Sequence, residues 1–414
     1  MTVATLNCIL IGIIFVKGLR SGVKSVFHFL AAMMVVVFYM VPSFSFYEIG
    51  EYIYLGHKWD FTTSDFVFTQ SCLFVFLCGF LFLDLILVNK SYAVLLNEVK
   101  QDIDHFAFNK FTIFLLFVPA AFLIGAFVLF SDSADIMIGM RRGEITTSPL
   151  FGIMLTTATL FIAALFFIAE ERRMSVLAVF LMPILILSVA TFGGRMAFAG
   201  VLALCLGYFR APLRLMVFVV IVASPLLIPL AANGKAIVYA VVGGFEWREI
   251  LTFLSLEVDM RAFVENNLGH PVVSVNNLDG IIDILGYRYF YDYLHGFLFY
   301  LRLLGISVDG SLTYYNTFVL TGEFRSQIPT GFLAFGYVQA SYIGVFVSGV
   351  FYRFLGWLAV SCYLKIGLRS SLFGFYLALL AANSFYTGEV RTLVVNLFYP
   401  LVFFRVIFWA TRLH

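Results

Sequence analysis

Long apolar runs recur along the chain and constrain the fold more than any other feature of the sequence. Each run has roughly 17 to 23 residues, the length that a helix needs to cross the hydrocarbon core of a bilayer. Of the 414 residues, 62% are hydrophobic and 12% are charged, whereas a soluble domain carries about 25% charged residues. Lipid offers no partner to unpaired backbone groups, and the short alternating segments of a membrane barrel are absent from the sequence. The runs therefore predict an all-α polytopic membrane protein.

The predicted topology has about 11 transmembrane helices. They cover residues 2–16, 26–46, 66–88, 111–130, 149–169, 174–190, 194–209, 215–232, 341–363, 371–387 and 392–411. Alternate connections are short and basic, and the positive-inside rule places these in the cytoplasm, with the amino terminus outside and the carboxyl terminus inside. The chain then divides into an eight-helix bundle (1–232), a large periplasmic loop between the eighth and ninth helices (233–340) and C-terminal transmembrane helices (341–414).

The large loop is expected to carry a role, because structureless loops of this size are uncommon. Residues 246–267 repeat apolar side chains every three or four positions and predict an amphipathic helix. Residues 294–306 are too short to span and contain Arg302, so they predict an interfacial or re-entrant helix. The tyrosines of "YRYFYDYLHG" (287–296) have two interpretations: an aromatic belt at the outer interface, or a platform on which sugars stack.

Arginine is unusually frequent on the predicted outer side. In "TFGGRMAFAG", Arg195 follows two glycines and opens the next span, where free amide groups and a guanidinium fork together favour phosphate; snorkelling to lipid headgroups is the alternative. The outer side holds nine arginines against two lysines, and this preference indicates bidentate recognition of phosphate or carboxylate. Salt bridges to outer acids such as Glu257, Asp259 and Asp292 are the competing explanation.

Acid–base candidates on the same side form no known nucleophile or metal motif, so no metal or cofactor is predicted. They are Glu257, Asp259, Glu265, His270, Asp292, His295, Glu323 and Glu389. Asp84 is expected to reach water near the cytoplasmic end of its span and to have no role. A net charge of +2 argues against a nucleic-acid partner.

The order of these features resembles the Wzy-type O-antigen polymerases, which build bacterial surface polysaccharides. The segment "GGRMAFAGVLALCLGYF" is similar to the arginine-opened middle helix of that family, "EVDMRAF" to the helix that starts its large loop, and "YTGEVRTLVVNLFYPLVFF" to its last outer turn. These matches point to Arg195, Arg261 and Arg391. "IPTGFLAFGYVQASYIGVFVSGVFYRFLG" is similar to the exit of the loop. The resemblance covers the chain from about residue 130 onward, as a pattern.

Some members of the family also carry an arginine and a glycine separated by ten residues in two outer loops. This sequence has that spacing at Arg141 to Gly152 and at Arg325 to Gly336. Such pairs are also expected by chance in a chain with 32 glycines, so the spacing alone is a weak signal.

The resemblance implies a GT-C-like, metal-independent glycosyltransferase at the periplasmic face of the bacterial inner membrane. It would move a growing glycan from undecaprenyl pyrophosphate to the outer sugar of a lipid-linked repeat unit. Arg195, Arg261, Arg325, Arg391 and Arg141 would bind the pyrophosphate, and Glu323 or His270 would accept the proton of the acceptor hydroxyl. The implied partners are the undecaprenyl-pyrophosphate-linked oligosaccharide, membrane lipid and a polysaccharide chain-length regulator.

Three alternatives stay open. An O-antigen ligase would use a late outer histidine, for which His270 and His295 are candidates. A flippase or another transporter would line a path with charges inside several spans, whereas the predicted topology places the charges at span ends and in outer loops. A scaffold without chemistry would leave the outer arginines unexplained.

Overall fold

The computed structural model describes residues 2–20, 26–54, 56–88, 259–298, 312–323, 328–366 and separate positions between 377 and 402. All of these except Asp259, Met260 and Val402 belong to one compact unit. Helix accounts for 85% of the described residues, in agreement with a mainly helical membrane protein.

Three helical stretches form the amino-terminal part of the unit. Helix α1 covers Thr2–Arg20, α2 covers Val26–Val35 and continues through a π-helical turn, Val36–Met40, into α3, Val41–Ile49. The π-turn has a local cause, because Pro42 has no N–H with which to reach the carbonyl of Phe38. The N–H of Val41 bonds to the carbonyl of Val36 instead, five residues back.

A β-hairpin follows α3, and it departs from the all-α expectation. Strands β1, Glu51–Tyr54, and β2, His57–Asp60, pair antiparallel with Tyr54 opposite His57. Gly50 and Gly56 adopt φ angles of 78° and 82°, which end α3 and form the turn. Tyr52 and Tyr54 are buried while Ile53 between them is exposed, the alternation of a strand with one covered face.

Helix α4, Thr63–Val88, begins at a reciprocal cap. The backbone N–H of Thr62 donates to Oδ2 of Asp65 at 2.8 Å, and the N–H of Asp65 donates to Oγ1 of Thr62 at 3.3 Å. This arrangement satisfies amide groups that the first turn would otherwise leave unpaired, so it fixes where α4 starts.

The later described elements are shorter, apart from the last. They are α5, Met260–Phe263; a π-helical segment, Val264–Leu268; α6, His270–Asn276; α7, Leu278–Leu285; α8, Tyr291–Phe297; α9, Leu312–Thr321; and α10, Gly331–Ile366. Of the predicted amphipathic helix, 246–267, only residues 259–267 are described. Of the predicted re-entrant helix, 294–306, only residues 294–298 are described.

Helix α10 is broken at Ala340 and Ser341, where the backbone is not helical. The two parts fold back on each other, because the ring of Phe332 lies 6.4 Å from that of Phe351 and 5.4 Å from that of Tyr352. We call residues 331–339 the first segment of α10 and residues 342–366 its second segment. The break falls at the boundary between the predicted loop, 233–340, and the predicted C-terminal helices, 341–414.

The long helices run in alternating directions and define two ends of the unit. Side chains of α1 and α4 meet at Asn7 with Gln70 and again at Lys17 with Asp84, so these two helices are parallel. His28 also contacts Asp84, whereas Ser43 contacts Gln70, so the stretch from α2 to α3 is antiparallel to both. We call the end near β1 and β2 the hairpin end and the other the Asp84 end. The predicted topology places the hairpin end outside.

Two glycines allow α4 and the second segment of α10 to approach closely. A Cβ built on Gly79 would collide with the carbonyl oxygen of Phe346, and one built on Gly349 would collide with that of Phe76. Small residues serve this purpose at helix contacts in membranes, where packing rather than exclusion of water joins the helices.

Four described stretches are long and apolar enough to cross a membrane: Thr2–Leu19, Val26–Ile49, Thr63–Leu87 and, counted across the break in α10, Gly331–Ser361. They overlap the predicted spans 2–16, 26–46, 66–88 and 341–363, and they indicate a membrane-embedded protein. The other seven predicted spans lie wholly or mostly outside the described residues, so the total of about 11 stays a prediction.

Candidate functional site

Arg261 lies at the hairpin end within a network of four charged side chains. Its Nε donates to Oε1 of Glu265, one turn along, at 3.0 Å, and its Nη2 lies 3.6 Å from Oε1 of Glu51. Lys58, across the hairpin, pairs with the same Glu51. The Arg261 side chain is 44% exposed. The network therefore joins α5 to the hairpin and leaves part of the guanidinium-bearing side chain accessible.

The charges of this network hold one another in the ionised state. The hydrogen bond from Lys58, with a further contribution from Arg261, lowers the pKa of Glu51 below its usual range. The hydrogen bond to Glu265, followed by the charge of Glu265, raises the pKa of Arg261. Arg261 thus takes part in salt bridging to outer acids, which is the competing explanation for the arginines on the predicted outer side.

The two predicted bases occupy different environments. His270 opens α6 and is buried, with its ring 4.2 Å from that of Tyr386 and 6.5 Å from that of Phe38. Glu323 lies in the exposed turn after α9, where its backbone N–H donates to Oγ1 of Thr321. Helices α6 and α9 are neighbours, because Nδ2 of Asn316 donates to Oγ of Ser274 at 3.0 Å. Both candidates therefore lie on adjoining elements of the unit.

Four predicted arginines, Arg141, Arg195, Arg325 and Arg391, lie outside the described residues. Their places relative to Arg261 stay predictions. Among the residues that the structure describes, no group of three histidine, cysteine, aspartate or glutamate side chains is arranged to hold a metal ion.

Buried polar side chains cross the helices near the hairpin end, and we call them the polar layer. Nδ2 of Asn7 donates to Oε1 of Gln70, and Nε2 of Gln70 donates to Oγ of Ser43. At the same level of α4, Oγ1 of Thr69 donates to Oδ1 of Asn276 at 3.3 Å. Such groups are costly in an apolar setting unless they bond to each other, and inside a membrane they mark places where helices meet or substrates pass.

A second charged group lies at the Asp84 end, and here the prediction from the sequence is wrong. Asp84 does not reach water, since its side chain is 1% exposed. Its Oδ2 accepts from Nζ of Lys17, and its Oδ1 accepts from Nε of Arg353, with both distances 2.8 Å. Nε2 of His28 lies 2.8 Å from the same Oδ1. One carboxylate thus joins α1, α2, α4 and the second segment of α10.

Arg353 was not singled out from the sequence, although it interrupts an apolar run as Arg195 does. Its side chain is 2% exposed, which is tolerated only because Asp84 faces it. A charge inside a span predicts an opposite charge in a neighbouring span. The rule marks Asp84 in "LFLDLIL" and Arg353 in "VFYRFLG" as charges that each need a partner, but it does not say which helices meet.

Comparisons with protein-family models, with curated proteins and with solved structures returned no match.

Proposed function

We propose that the protein is a metal-independent glycosyltransferase that polymerises a surface polysaccharide. It moves a growing glycan from undecaprenyl pyrophosphate to the outer sugar of a lipid-linked repeat unit, at the periplasmic face of the inner membrane. The observation that carries the proposal is the excess of arginine over lysine on the predicted outer side. Arg261 supports it, because this arginine is partly exposed at the hairpin end, which the predicted topology places outside.

The chemistry needs a cation where the leaving group gains charge. When the glycosyl–oxygen bond breaks, negative charge develops on the departing pyrophosphate, and fixed guanidinium donors stabilise it. Glu265 holds Nε of Arg261 and so orients its fork. A lysine that contacted the departing pyrophosphate would lack the planar two-point geometry of arginine. Arg195, Arg325, Arg391 and Arg141 complete the proposed clamp.

The proton of the acceptor hydroxyl needs a base that faces water or substrate. Of the two predicted bases, Glu323 is exposed, whereas His270 is buried beside the rings of Tyr386 and Phe38. We therefore favour Glu323 as the base and assign His270 to packing of α6 against the bundle.

A transporter of lipid-linked oligosaccharide is the second candidate, and two observations favour it. Asp84 and Arg353 are charges buried inside apolar helices, within the predicted spans 66–88 and 341–363. Helix α10 is broken, and broken helices are frequent at the substrate sites of transporters. Both charges lie at the Asp84 end, away from the polar layer, so they do not by themselves line a path.

The deciding experiment compares Arg261 with Lys58, which contacts the same glutamate. In a strain that makes the polysaccharide, Arg261→Ala and Arg195→Ala should abolish chain extension, because one lost donor costs about 10² to 10³ in rate. Arg261→Lys should restore only part of it. Lys58→Ala should keep full-length glycan although it disturbs the same network. The readout is the length distribution of the surface glycan on a gel, normalised to the amount of protein.

The alternatives give different outcomes in the same assays. Deletion should leave single repeats on lipid A core if the protein polymerises, and bare core if it is a ligase. Purified protein in proteoliposomes should lengthen a labelled lipid-linked repeat. Movement of that repeat across the bilayer without lengthening would contradict the polymerase and favour the transporter.

A further inference from the structure

The segment from Ile284 to Leu294 presents a run of exposed apolar side chains, and we call it the tyrosine strap. Tyr289 is 78% exposed and Leu294 is 63% exposed, and Ile284, Tyr287 and Tyr291 are also exposed. Exposed apolar side chains on this scale need an apolar or amphipathic partner.

The backbone of the strap is held in an unfavourable conformation. Tyr289 and Phe290 have φ angles of 46° and 65°, in a region that residues with large side chains rarely adopt. Two hydrogen bonds fix it: the N–H of Arg288 donates to the carbonyl of Val338 at 2.9 Å, and that of Tyr289 to the carbonyl of Gln339 at 2.7 Å. These carbonyls belong to the last turn of the first segment of α10, which the break would otherwise leave without intrahelical partners.

Side chains bind the strap to α10 as well. Arg288 donates twice to the carboxylate of Asp292, at 3.2 Å in both cases, and lies over the ring of Tyr291 at 4.5 Å. Nε2 of Gln339 donates to Oδ2 of Asp292 at 2.6 Å. The exposed tyrosines therefore stand on a fixed base that α10 supports.

The strap adjoins the flank of a membrane span. The ring of Tyr287 lies 6.5 Å from that of Tyr337, which lies 5.5 Å from that of Tyr342. The next residue, Ile343, is 70% exposed on the second segment of α10, which belongs to a stretch that is long and apolar enough to cross a membrane. The exposed surface of the strap is therefore continuous with the exposed flank of a stretch that is apolar enough to span a membrane.

Helix α7 indicates which side of the strap faces water. Leu278 and Ile281 are buried, whereas Asp279 and Asp283, one turn apart, are exposed on the roughly opposite face. Ile284 projects to the side between these two faces. This division of acidic, exposed apolar and buried residues is typical of a helix that lies at a membrane surface.

We propose that the tyrosine strap anchors the protein in the boundary between headgroups and acyl chains at the hairpin end. Tyr289, Leu294 and Ile284 enter the boundary, and Asp279 and Asp283 face water. Tyrosine suits this position because its ring is apolar and its hydroxyl is polar. A platform for sugars would not account for the aliphatic side chains exposed beside the rings. The anchor sets the depth of the α10 break in the membrane, whichever reaction the protein catalyses.

The test places a photoreactive benzoylphenylalanine at single positions of the full-length protein. The protein is reconstituted in vesicles of phosphatidylethanolamine and phosphatidylglycerol, irradiated, and analysed by mass spectrometry for phospholipid adducts. Replacement of Tyr289 is compared with three controls: Ile343 on the span surface, Tyr352 in the buried core, and Lys58 on the exposed hairpin.

The expected result is phospholipid adduct at position 289 comparable to that at 343 and several-fold above that at 58 and 352. Adduct at 289 no higher than at 58, with 343 labelled, would place the strap in water and overturn the proposal. Crosslinking of 289 to a second copy of the chain would overturn it as well. If a variant does not fold, the unmodified protein is labelled with a diazirine phospholipid. Label on the peptide that contains Ile343, with none on the strap, would then overturn the proposal in the same way.

Discussion

The two ends of the described unit use the same charged groups under opposite conditions. At the hairpin end, Arg261 and Lys58 share Glu51 in an exposed setting. At the Asp84 end, Lys17 and Arg353 share one carboxylate that is almost entirely removed from solvent. Exposed pairs contribute little to stability, because water and salt screen them. Removing one partner of a buried pair lowers stability strongly, because the remaining charge is left buried without an opposite charge.

The comparison indicates a division of labour. The Asp84 cluster joins α1, α2, α4 and α10 and lies among packed apolar side chains, so we interpret it as structural. The hairpin network holds an accessible arginine in a defined place between buried Glu265 and partly exposed Glu51, which suits a group that must meet a charged substrate. Three predictions test this division, in order of expected size.

Asp84→Asn should give the largest loss of stability. Arg353 would keep its charge in the bundle without a carboxylate, at a cost of about 3–5 kcal/mol. Thermal unfolding of the purified protein in detergent measures it. Glu51→Gln is the matched control and should change the unfolding temperature little. Adding Arg353→Met to Asp84→Asn should recover part of the lost stability. If Asp84→Asn and Glu51→Gln lower the unfolding temperature equally, the two ends do not differ as we propose.

Gly79→Ala should give an intermediate loss. The added methyl group meets the carbonyl of Phe346 and pushes α4 away from α10 just above the Asp84 cluster, at a cost of about 1–3 kcal/mol. Gly12→Ala is the control, because a Cβ there meets nothing within 4 Å. Alanine favours a helix over glycine, so this variant should be as stable as the parent or slightly more so. Unfolding temperatures that fall equally would refute a close approach at Gly79.

The smallest effect should come from acid at the hairpin end. Because the folded state lowers the pKa of Glu51, its ion pairs stabilise the protein above the usual carboxylate range and are lost as pH falls through the lowered pKa. The difference in unfolding temperature between the parent and Glu51→Gln should therefore be small at neutral pH and disappear in strong acid. If this difference in unfolding temperature grows on acidification, the folded state does not lower the pKa of Glu51 and the prediction is wrong.

Local features of the fold could be predicted from the sequence, and long-range ones could not. The apolar runs indicated the spans near α1, α2 to α3, α4 and α10. The hairpin also has a local signal in "EYIYLGHKWD", where alternation and a glycine turn were hidden among longer apolar runs. The contact between Asp84 and Arg353 depends on which helices pack together and at what height, although the two helices lie far apart in the chain. The sequence of an apolar run does not specify either.

The break in α10 shows the same limit. The stretch "GYVQASYIG" has no proline to break the helix. The chain folds back here because Gly336 and Gly344 allow the two segments to touch. The N–H groups of Arg288 and Tyr289 bond to the carbonyls at the end of the first segment. Among the site residues, the resemblance led to Arg261, which the structure places at the hairpin end beside Glu51. It gave no account of Glu51, because a hairpin partner became evident only once the strands were paired.

The contact between Gly331 and Gly388 has a consequence for recognising related chains. Both residues have positive φ, at 71° and 61°, and a Cβ on Gly388 would overlap the backbone of Gly331. Neither position tolerates a side chain, so a substitution at one glycine cannot be compensated by a substitution at the other. Distant relatives that share this architecture should retain both glycines even where the apolar residues around them have been substituted by other apolar residues. The pair of glycines is therefore a search pattern that composition alone does not supply.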